Sequence, residues 1–347
     1  MKKRMVALLC AGLMVASSLA GCSSSKPAET TAAAKTETQA AAAGETKAAE
    51  AAAPKIDFPK KNIKIIVPYG AGGGVDITTR LLAEAAGKDY FNGHSLIVEN
   101  KEGGGAVIGH TEVANAEPDG YTLLAYTSAI VNNPILKEVT YKTEDFKTLG
   151  MVCFDPEILC VPPTSDYKTW DEFVAYAKEN TVKLATPGHS TAHHIAAIKL
   201  AKELGLKFEY LHNDSSAVQM QQLMGGHCDA AMMAVGEAVS AVNDGTIIAL
   251  AMGGEERNPN IPDVPTFLEC GSTMVEGAFR GYACRADVPD DVYQVLCSEF
   301  EKIATSQKYI DAMNEAAIPY AYKNAEDFQA YALECAAALN EIKDDLK

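Results

Sequence analysis

From Ile56 onward, short apolar runs alternate with longer stretches in which apolar residues recur every three or four positions. That alternation predicts an α/β protein. "IKIIVPY" reads as a buried strand, and "ITTRLLAEAA" after it places Ile77, Leu81 and Ala85 on one helical face. "SLIVEN" is a second strand, "AVIGHTEVANA" a second helix and "YTLLAYT" a third strand. "FKTLGMVCF" and "PEILCVPP" are two extended runs in succession, after which the pattern restarts. "TWDEFVAYAKEN" is a helix with Thr169 as its cap. "KLATPG", "FEYLHN" and "CDAAMMAV" are strands separated by the helical patterns "AHHIAAIKLAKELG" and "SAVQMQQLMGG". The chain closes with "EAVSAVNDG", "IIALAMGG", a loop containing "NPNIPDVPTFLE", the run "AFRGYACRA" and two amphipathic helices, "DDVYQVLCSEFEKIATS" and "AEDFQAYALECAAALNEI". Two extended runs between two α/β units suit a hinge crossover and, equally, two domains in tandem.

The segment before Ile56 follows a different pattern. Lys2, Lys3 and Arg4 precede an apolar stretch and then "LAGC" at Leu19–Cys22, which reads as a secretory signal over residues 1–22 ending in a lipoprotein box. Small residues before the cysteine admit a signal peptidase, and the Cys22 thiol is the atom that takes the lipid. The apolar stretch, about 16 residues, is shorter than the roughly 20 that a membrane span needs. Residues 23–55 are rich in Ala, Thr, Lys and Glu and poor in large apolar groups, so they read as a disordered tether.

Without residues 1–22 the chain keeps 27 Lys plus Arg against 46 Asp plus Glu, a formal charge of −19. Such a balance argues against nucleic acid or another polyanion as partner. It leaves room for a small anion held by local amide dipoles. Seven cysteines follow Cys22, an odd number without a CxxC pair and mostly in apolar contexts, which predicts buried free thiols rather than a zinc site or disulfide framework.

Three stretches carry candidate chemistry. In "IIVPYGAGGGVDITTRLL" a strand runs through Gly70, Gly72, Gly73 and Gly74 into a helix start, which aims several backbone amides at one volume and suits an anion. The spacing is not that of a dinucleotide loop, since GxGxxG would need glycine at Val75 or Ile77, and no GK[ST] follows for a P-loop. A tight turn before a helix is the alternative. Asp76 either caps that helix through the amides of Thr78 or Thr79 or meets a cationic group on a ligand. In "TPGHSTAHH", Ser190 and Thr191 offer hydroxyls and His193 or His194 an imidazole. No GxSxG elbow accompanies them, so a hydrolase is not indicated. Arg280, flanked by Phe279 and Gly281 with Tyr282 beyond, suits a bidentate carboxylate contact or a salt bridge.

Together with "SLIVENKEGGGAVIG", "AEPDGYTLLAYTS", "LMGGHCDAAM" and "IPDVPTFLECG", these stretches resemble the substrate-binding proteins of tripartite tricarboxylate transporters, the Bug family, from about Phe58 to the C-terminus. The resemblance implies a two-lobed periplasmic-binding-protein fold of type II, a Venus flytrap that closes on its ligand. It places lobe 1 at 56–157 and 284–347 and lobe 2 at 158–283, with crossovers near Asp155–Ile158 and Tyr282–Cys284. It further implies a ligand carboxylate held by Tyr69, Gly70, Ala71, Gly72 and Gly73 with Asp76 nearby. Thr127, Ser128 and Ala129 would lie at the same cleft, and Ser190, Thr191 and His194 would face it from the other lobe. Where many members read "VPYKG", this chain reads "LHNDS", which puts His212 and Asn213 at a cleft-facing position. The implied role is a lipid-anchored extracytoplasmic receptor that delivers a small di- or tricarboxylate, or a related organic acid, to a membrane permease, with no cofactor, metal or catalytic residue. Presenting a ligand to a membrane signalling kinase is the alternative.

Overall fold

A computed structural model of the protein describes residues 56–346; the expected signal, Cys22 and the tether lie outside them. Its first unit runs β1 (Ile63–Val67), α1 (Gly74–Ala86), β2 (Leu96–Asn100), α2 (Val107–Ala114), β3 (Thr122–Thr127) and α3 (Ser128–Leu136). The long strand β4 (Phe146–Val161) leads into the second: α4 (Trp170–Glu179), β5 (Thr181–Thr186), α5 (Ala192–Leu204), β6 (Lys207–His212), α6 (Ser216–Met224), β7 (Ala230–Ala234), α7 (Val235–Asn243) and β8 (Ile248–Met252). The chain returns through β9 (Gly277–Arg285) and ends in α8 (Asp290–Ala304), α9 (Gln307–Glu315), β10 (Tyr320–Lys323) and α10 (Ala325–Ile342).

The strands follow one path, β2-β1-β3-β9-β4-β7-β5-β6, with β10 and β8 also paired to β4. Strands β1, β2 and β3 are parallel, as are β5, β6 and β7; β9 runs against β3, and β4 runs against both β9 and β7. The first half of β4 pairs with β9 and its last residues with β7 and β8, so one strand belongs to both halves of the curled sheet. Pro156, which has no N–H to give to a ladder, sits where it passes between them. The two extended runs of the sequence are therefore one continuous strand. Strand β9 pairs with β4 from Gly277 onward, so the chain re-enters the first half earlier than the expected Tyr282–Cys284.

The apolar runs are buried because helices cover the sheet. "IKIIV" of β1 and "AAMMA" of β7 are inaccessible at nearly every position, as parallel strands covered on both faces must be. Thr169 caps α4 in a capping box with Glu172. Helix α1 departs from the expected face: Thr78, Thr79, Leu82, Ala85 and Ala86 point inward and Ile77 is exposed. Burying two threonines is tolerable because their hydroxyls donate to the carbonyls of Gly74 and Val75. Helix α3 contains Pro134, which cannot donate to the carbonyl of Ile130; the Thr143 hydroxyl donates to that oxygen at 3.3 Å instead. The seven cysteines after Cys22 are all unpaired, four of them buried.

Candidate ligand-binding site

The residues that follow β1, β3, β5, β6 and β7 line one cavity, at the carboxyl ends of the parallel strands where an open α/β sheet leaves a crevice. It encloses about 440 Å³, part of it open to solvent. Three bonds from the first half of the sheet to the second draw the walls together. The Gly70 N–H donates to the Asp214 carbonyl at 3.1 Å, Asn132 Nδ2 to the Ser190 carbonyl at 2.9 Å and Lys137 Nζ to the His189 carbonyl at 2.9 Å.

Four helices begin at this wall, with Gly74, Ser128, Ala192 and Ser216 as their first residues. Their caps differ. In α5 the Thr191 hydroxyl accepts from the His194 N–H, and in α6 the Ser215 hydroxyl accepts from Val218. Helices α1 and α3 start from Gly73 and Thr127 without a side-chain cap. Their first-turn amides are left for another acceptor, and each dipole favours an anion by about 0.3–1 kcal/mol in exposed settings. The Thr127 hydroxyl lies 3.2 Å from Tyr69 Oη. Burial pushes the Tyr69 phenol up to about 12, so it keeps a proton to donate.

Beneath the cavity lies a buried charge cluster. Arg280 stands on β9 in register with Thr127 on one side and Cys153 on the other. Its Nη2 is 3.1 Å from Asp155 Oδ2 and 3.3 Å from Glu237 Oε1. Glu237 also accepts from the Ser216 hydroxyl and the Ala234 amide. His193 Nδ1 is 2.5 Å from Glu157 Oε2, and its Nε2 is 3.7 Å from Glu237. Burial pushes the Glu157 carboxyl up to about 7 against the pull of His193. The imidazole, which burial alone would depress, is raised by Glu157 and Glu237. One proton therefore sits between His193 and Glu157 and is held more firmly than on a free histidine. Burial likewise pushes the Asp155 carboxyl up, against the pull of Arg280 and the Gly236 amide.

The guanidinium is thus a wall of the cavity, but its charge is already met from within. Of the two roles expected for Arg280, the salt bridge is the one formed, and the residue also lines the cavity. The expectations for Asp76 have to be corrected, because it neither caps α1 through Thr78 or Thr79 nor reaches the cavity. Burial raises its pKa, but bonds from Arg80, the Gly72 amide and Asn100 outweigh this and hold the carboxyl low. Asp76 fixes the shape of the glycine loop.

Of the other expected residues, Tyr69, Gly73, Thr127, Ser128 and Thr191 line the cavity, and Gly72 lines an adjoining groove. Gly70, Ala71, Ala129, Ser190, His194, His212 and Asn213 are not part of its wall. Ser190 is buried at φ 66°, with Oγ 2.7 Å from His189 Nδ1. His194 Nδ1 accepts from the Ser190 N–H, and its ring packs against Tyr210, His212 and His189. His212 Nδ1 lies 2.8 Å from the Thr186 hydroxyl, and Asn213 Nδ2 donates to the Thr186 and Leu211 carbonyls. These residues shape the loop rather than face the space.

A model of the tripartite tricarboxylate transporter family receptor matches residues 78–346. The chain belongs to that family. A UPF0065 protein from the gbd 5′ region of Cupriavidus necator is 30% identical, over 80% of this chain and 85% of the relative. The periplasmic binding protein BugD superposes with a TM-score of 0.78 at 26% identity, over 83% of this chain and 98% of BugD. MatC of Rhodopseudomonas palustris, solved with bound malate, shares the fold with a TM-score of 0.75 at 22% identity, over 82% of this chain and 99% of MatC. The fold is the two-lobed one of periplasmic binding proteins, and the chain is a solute-binding receptor. Among the described residues no helix is long and apolar enough to cross a membrane.

In this receptor Gly74, His193 and Phe279, named in the candidate stretches, also line the cavity, and Val75, Pro187, Ser216, Glu237 and Ala278 join them although the sequence did not single them out. Glu237 carried a usable signal, since "AVGEAV" is another strand end running into a helix start with an acid in its first turn. His193 carried none that separates it from His194. Gly74 explains part of the glycine run: a Cβ there would stand 2.5 Å from Arg280 Nη2 and 2.6 Å from Glu237 Oε1.

Proposed function

We propose that this receptor captures a small organic acid, a di- or tricarboxylate or a related acid, and hands it to a membrane permease. In that role the chain is held at the outer face of the cytoplasmic membrane by lipid on Cys22. The observation that carries the reading is the pair of helix N-termini without side-chain caps, α1 and α3, that face one cavity beside the Tyr69 and Thr127 hydroxyls. A carboxylate placed there exchanges water for amide N–H groups and dipole ends, a contact that needs no free formal cation. Closure of the halves, through bonds such as Asn132 to the Ser190 carbonyl, removes the remaining water and gives a permease a ligand-dependent surface to recognise.

Calorimetric titration of the full chain with malate, citrate, glutamate, benzoate and a neutral sugar tests this reading. Acids bind and the sugar does not; binding of the sugar alone would refute the substrate class. In Gly73→Val, a Cβ meets nothing nearer than 3.5 Å, so the lobe folds, while the added methyls screen the amides. Acid binding is lost with the unfolding midpoint retained; unchanged affinity would remove the glycine loop from the site.

A further inference from the structure

The second glycine run of the sequence, "EGGGA" at Glu102–Ala106, contributes nothing to the wall of the cavity. It lies between β2 and α2, and its glycines, all at positive φ, meet the loop between β5 and α5 from the other half of the sheet. A Cβ on Gly105 would run into the His189 carbonyl oxygen, and one on Gly188 would stand 3.0 Å from Gly105 Cα. Only bare backbone fits where the two halves touch. Lys137, just after α3, pins the contact. Its Nζ donates to the Gly104 carbonyl on its own side and to the His189 carbonyl on the other, both at 2.9 Å. Asn133 Nδ2 holds the Gly105 carbonyl from the same helix.

The pinned loop rests on three imidazoles. The ring centroids of His189, His194 and His212 lie 4.6–5.3 Å apart. Each Nδ1 is engaged locally: His189 with the Ser190 hydroxyl, His194 with the Ser190 N–H and His212 with the Thr186 hydroxyl. The groups that face the rings are Tyr210 of β6 and the Lys137 ammonium, which also bears on the buried His110 of α2. Among the described residues no carboxylate acts on any of the three rings or on Lys137. A proton added here therefore meets an ammonium and further rings without a counter-charge. On His194 it also removes the acceptor of the Ser190 N–H. Burial, then Lys137, lowers the pKa of His189, and burial, then His189 and Lys137, that of His212.

We infer that Gly103–Gly105, Lys137 and the His189–His194–His212 cluster form a latch that joins the two halves while the three rings are neutral, so that acidification opens the receptor and releases its ligand. The latch rests on the reading that the halves close over a ligand and is independent of where the carboxylate sits. Parting the halves returns the rings to water and to an ordinary pKa near 6.5. The open form then takes up protons that the latched form refuses, and falling pH favours it.

The test compares wild type with Gly105→Ala, whose methyl parts the contact. In the ligand-free full chain, the His194 ring followed by NMR is expected to take its proton at least about one pH unit lower in wild type than in Gly105→Ala. By calorimetry, wild-type affinity for malate should fall by about three- to tenfold from pH 7.5 to 5.5, the upper figure being one ordinary ring gaining its proton on opening. Gly105→Ala should bind weakly at both values, which also removes the effect of malate's own ionisation. In His194→Gln the amide oxygen accepts from Ser190 at any pH, so that variant should keep the tight binding of neutral pH in acid. An equal His194 pKa in wild type and Gly105→Ala overturns the coupling of rings to contact. Malate affinity that changes alike with pH in all three proteins overturns proton-controlled release. If malate binds none of them, the ring titrations still decide the latch, and the failure falls on the carboxylate reading alone.

Discussion

His193 and His194 are neighbours in the sequence and lie in opposite environments. His193, in the first turn of α5, faces the acids at the passage of β4 and β9, and Glu157 and Glu237 hold its proton. His194 turns to a platform made by His189, Tyr210 and His212; burial, then the neighbouring histidines and Lys137, depress its pKa to about 3. One region is a buried ion network that needs its charges. The other is a stack of neutral rings that needs its imidazole uncharged, because Nδ1 accepts from the Ser190 N–H. Both support the cavity, and neither offers a ligand an uncompensated cation. On the proposed reading, anion recognition is left to backbone dipoles and hydroxyls, which suits a receptor whose overall charge is strongly negative.

The largest expected break in this comparison is Arg280→Met. It strands Asp155 and Glu237 in a buried site and is expected to cost about 3–5 kcal/mol in denaturant unfolding. Adding Glu237→Gln should recover part of the loss, and a cost below about 1 kcal/mol would mean that the network is not what holds the passage together. Next in size is a pair of glycine variants. Gly74→Ala drives a methyl into the Arg280–Glu237 contact and should cost about 1–3 kcal/mol, whereas Gly73→Ala, with ordinary contacts, should stay within about 0.5 kcal/mol. Equal costs would contradict the close approach at Gly74.

The smallest effect is the dependence of stability on pH, which separates the two regions by sign. The pKa of His193 is raised above 6.5, so its contribution is complete below that value and is lost as pH rises through the folded-state pKa. Glu157, raised from 4.5 to about 7, acts in the same direction over that interval. His194 acts oppositely: its folded state refuses a proton until about pH 3, so stability falls as pH drops below 6.5. Each such group contributes a slope of at most about 1.4 kcal/mol per pH unit. His194→Gln should flatten the acid side and His193→Gln the alkaline side; the reverse assignment would show that the two rings had been exchanged.

Much of the fold was legible because strands covered on both faces and amphipathic helices leave different periods, as in "IKIIV" and "DDVYQVLCSEFEKIA". Helix α3 was not, because Pro134 and two asparagines break the pattern, and only Thr143, distant in sequence, makes the proline tolerable. Strand β10 is short and half-buried and gives no alternation. At the site, the glycine run and the strand-to-helix junctions were visible, since missing side chains and cap positions are local properties. Which way Arg280 and Asp76 spend their charges was not. Arg80 is local to Asp76, four residues on in α1, but Asn100 reaches Asp76, and Asp155 and Glu237 reach Arg280, from other elements; adjacent residues of one helix also look alike in sequence however differently they are surrounded.

The central claim is that the amides opening α1 and α3 hold the ligand's carboxylate. Titrating ¹⁵N-labelled protein with malate while following backbone amide resonances tests it most directly. The account predicts that the largest shifts fall on Gly73, Gly74, Ser128 and Ala129, with little change at His212 and Asn213. Saturable binding that moves the His212–Asn213 amides and leaves those two helix starts unmoved would contradict it.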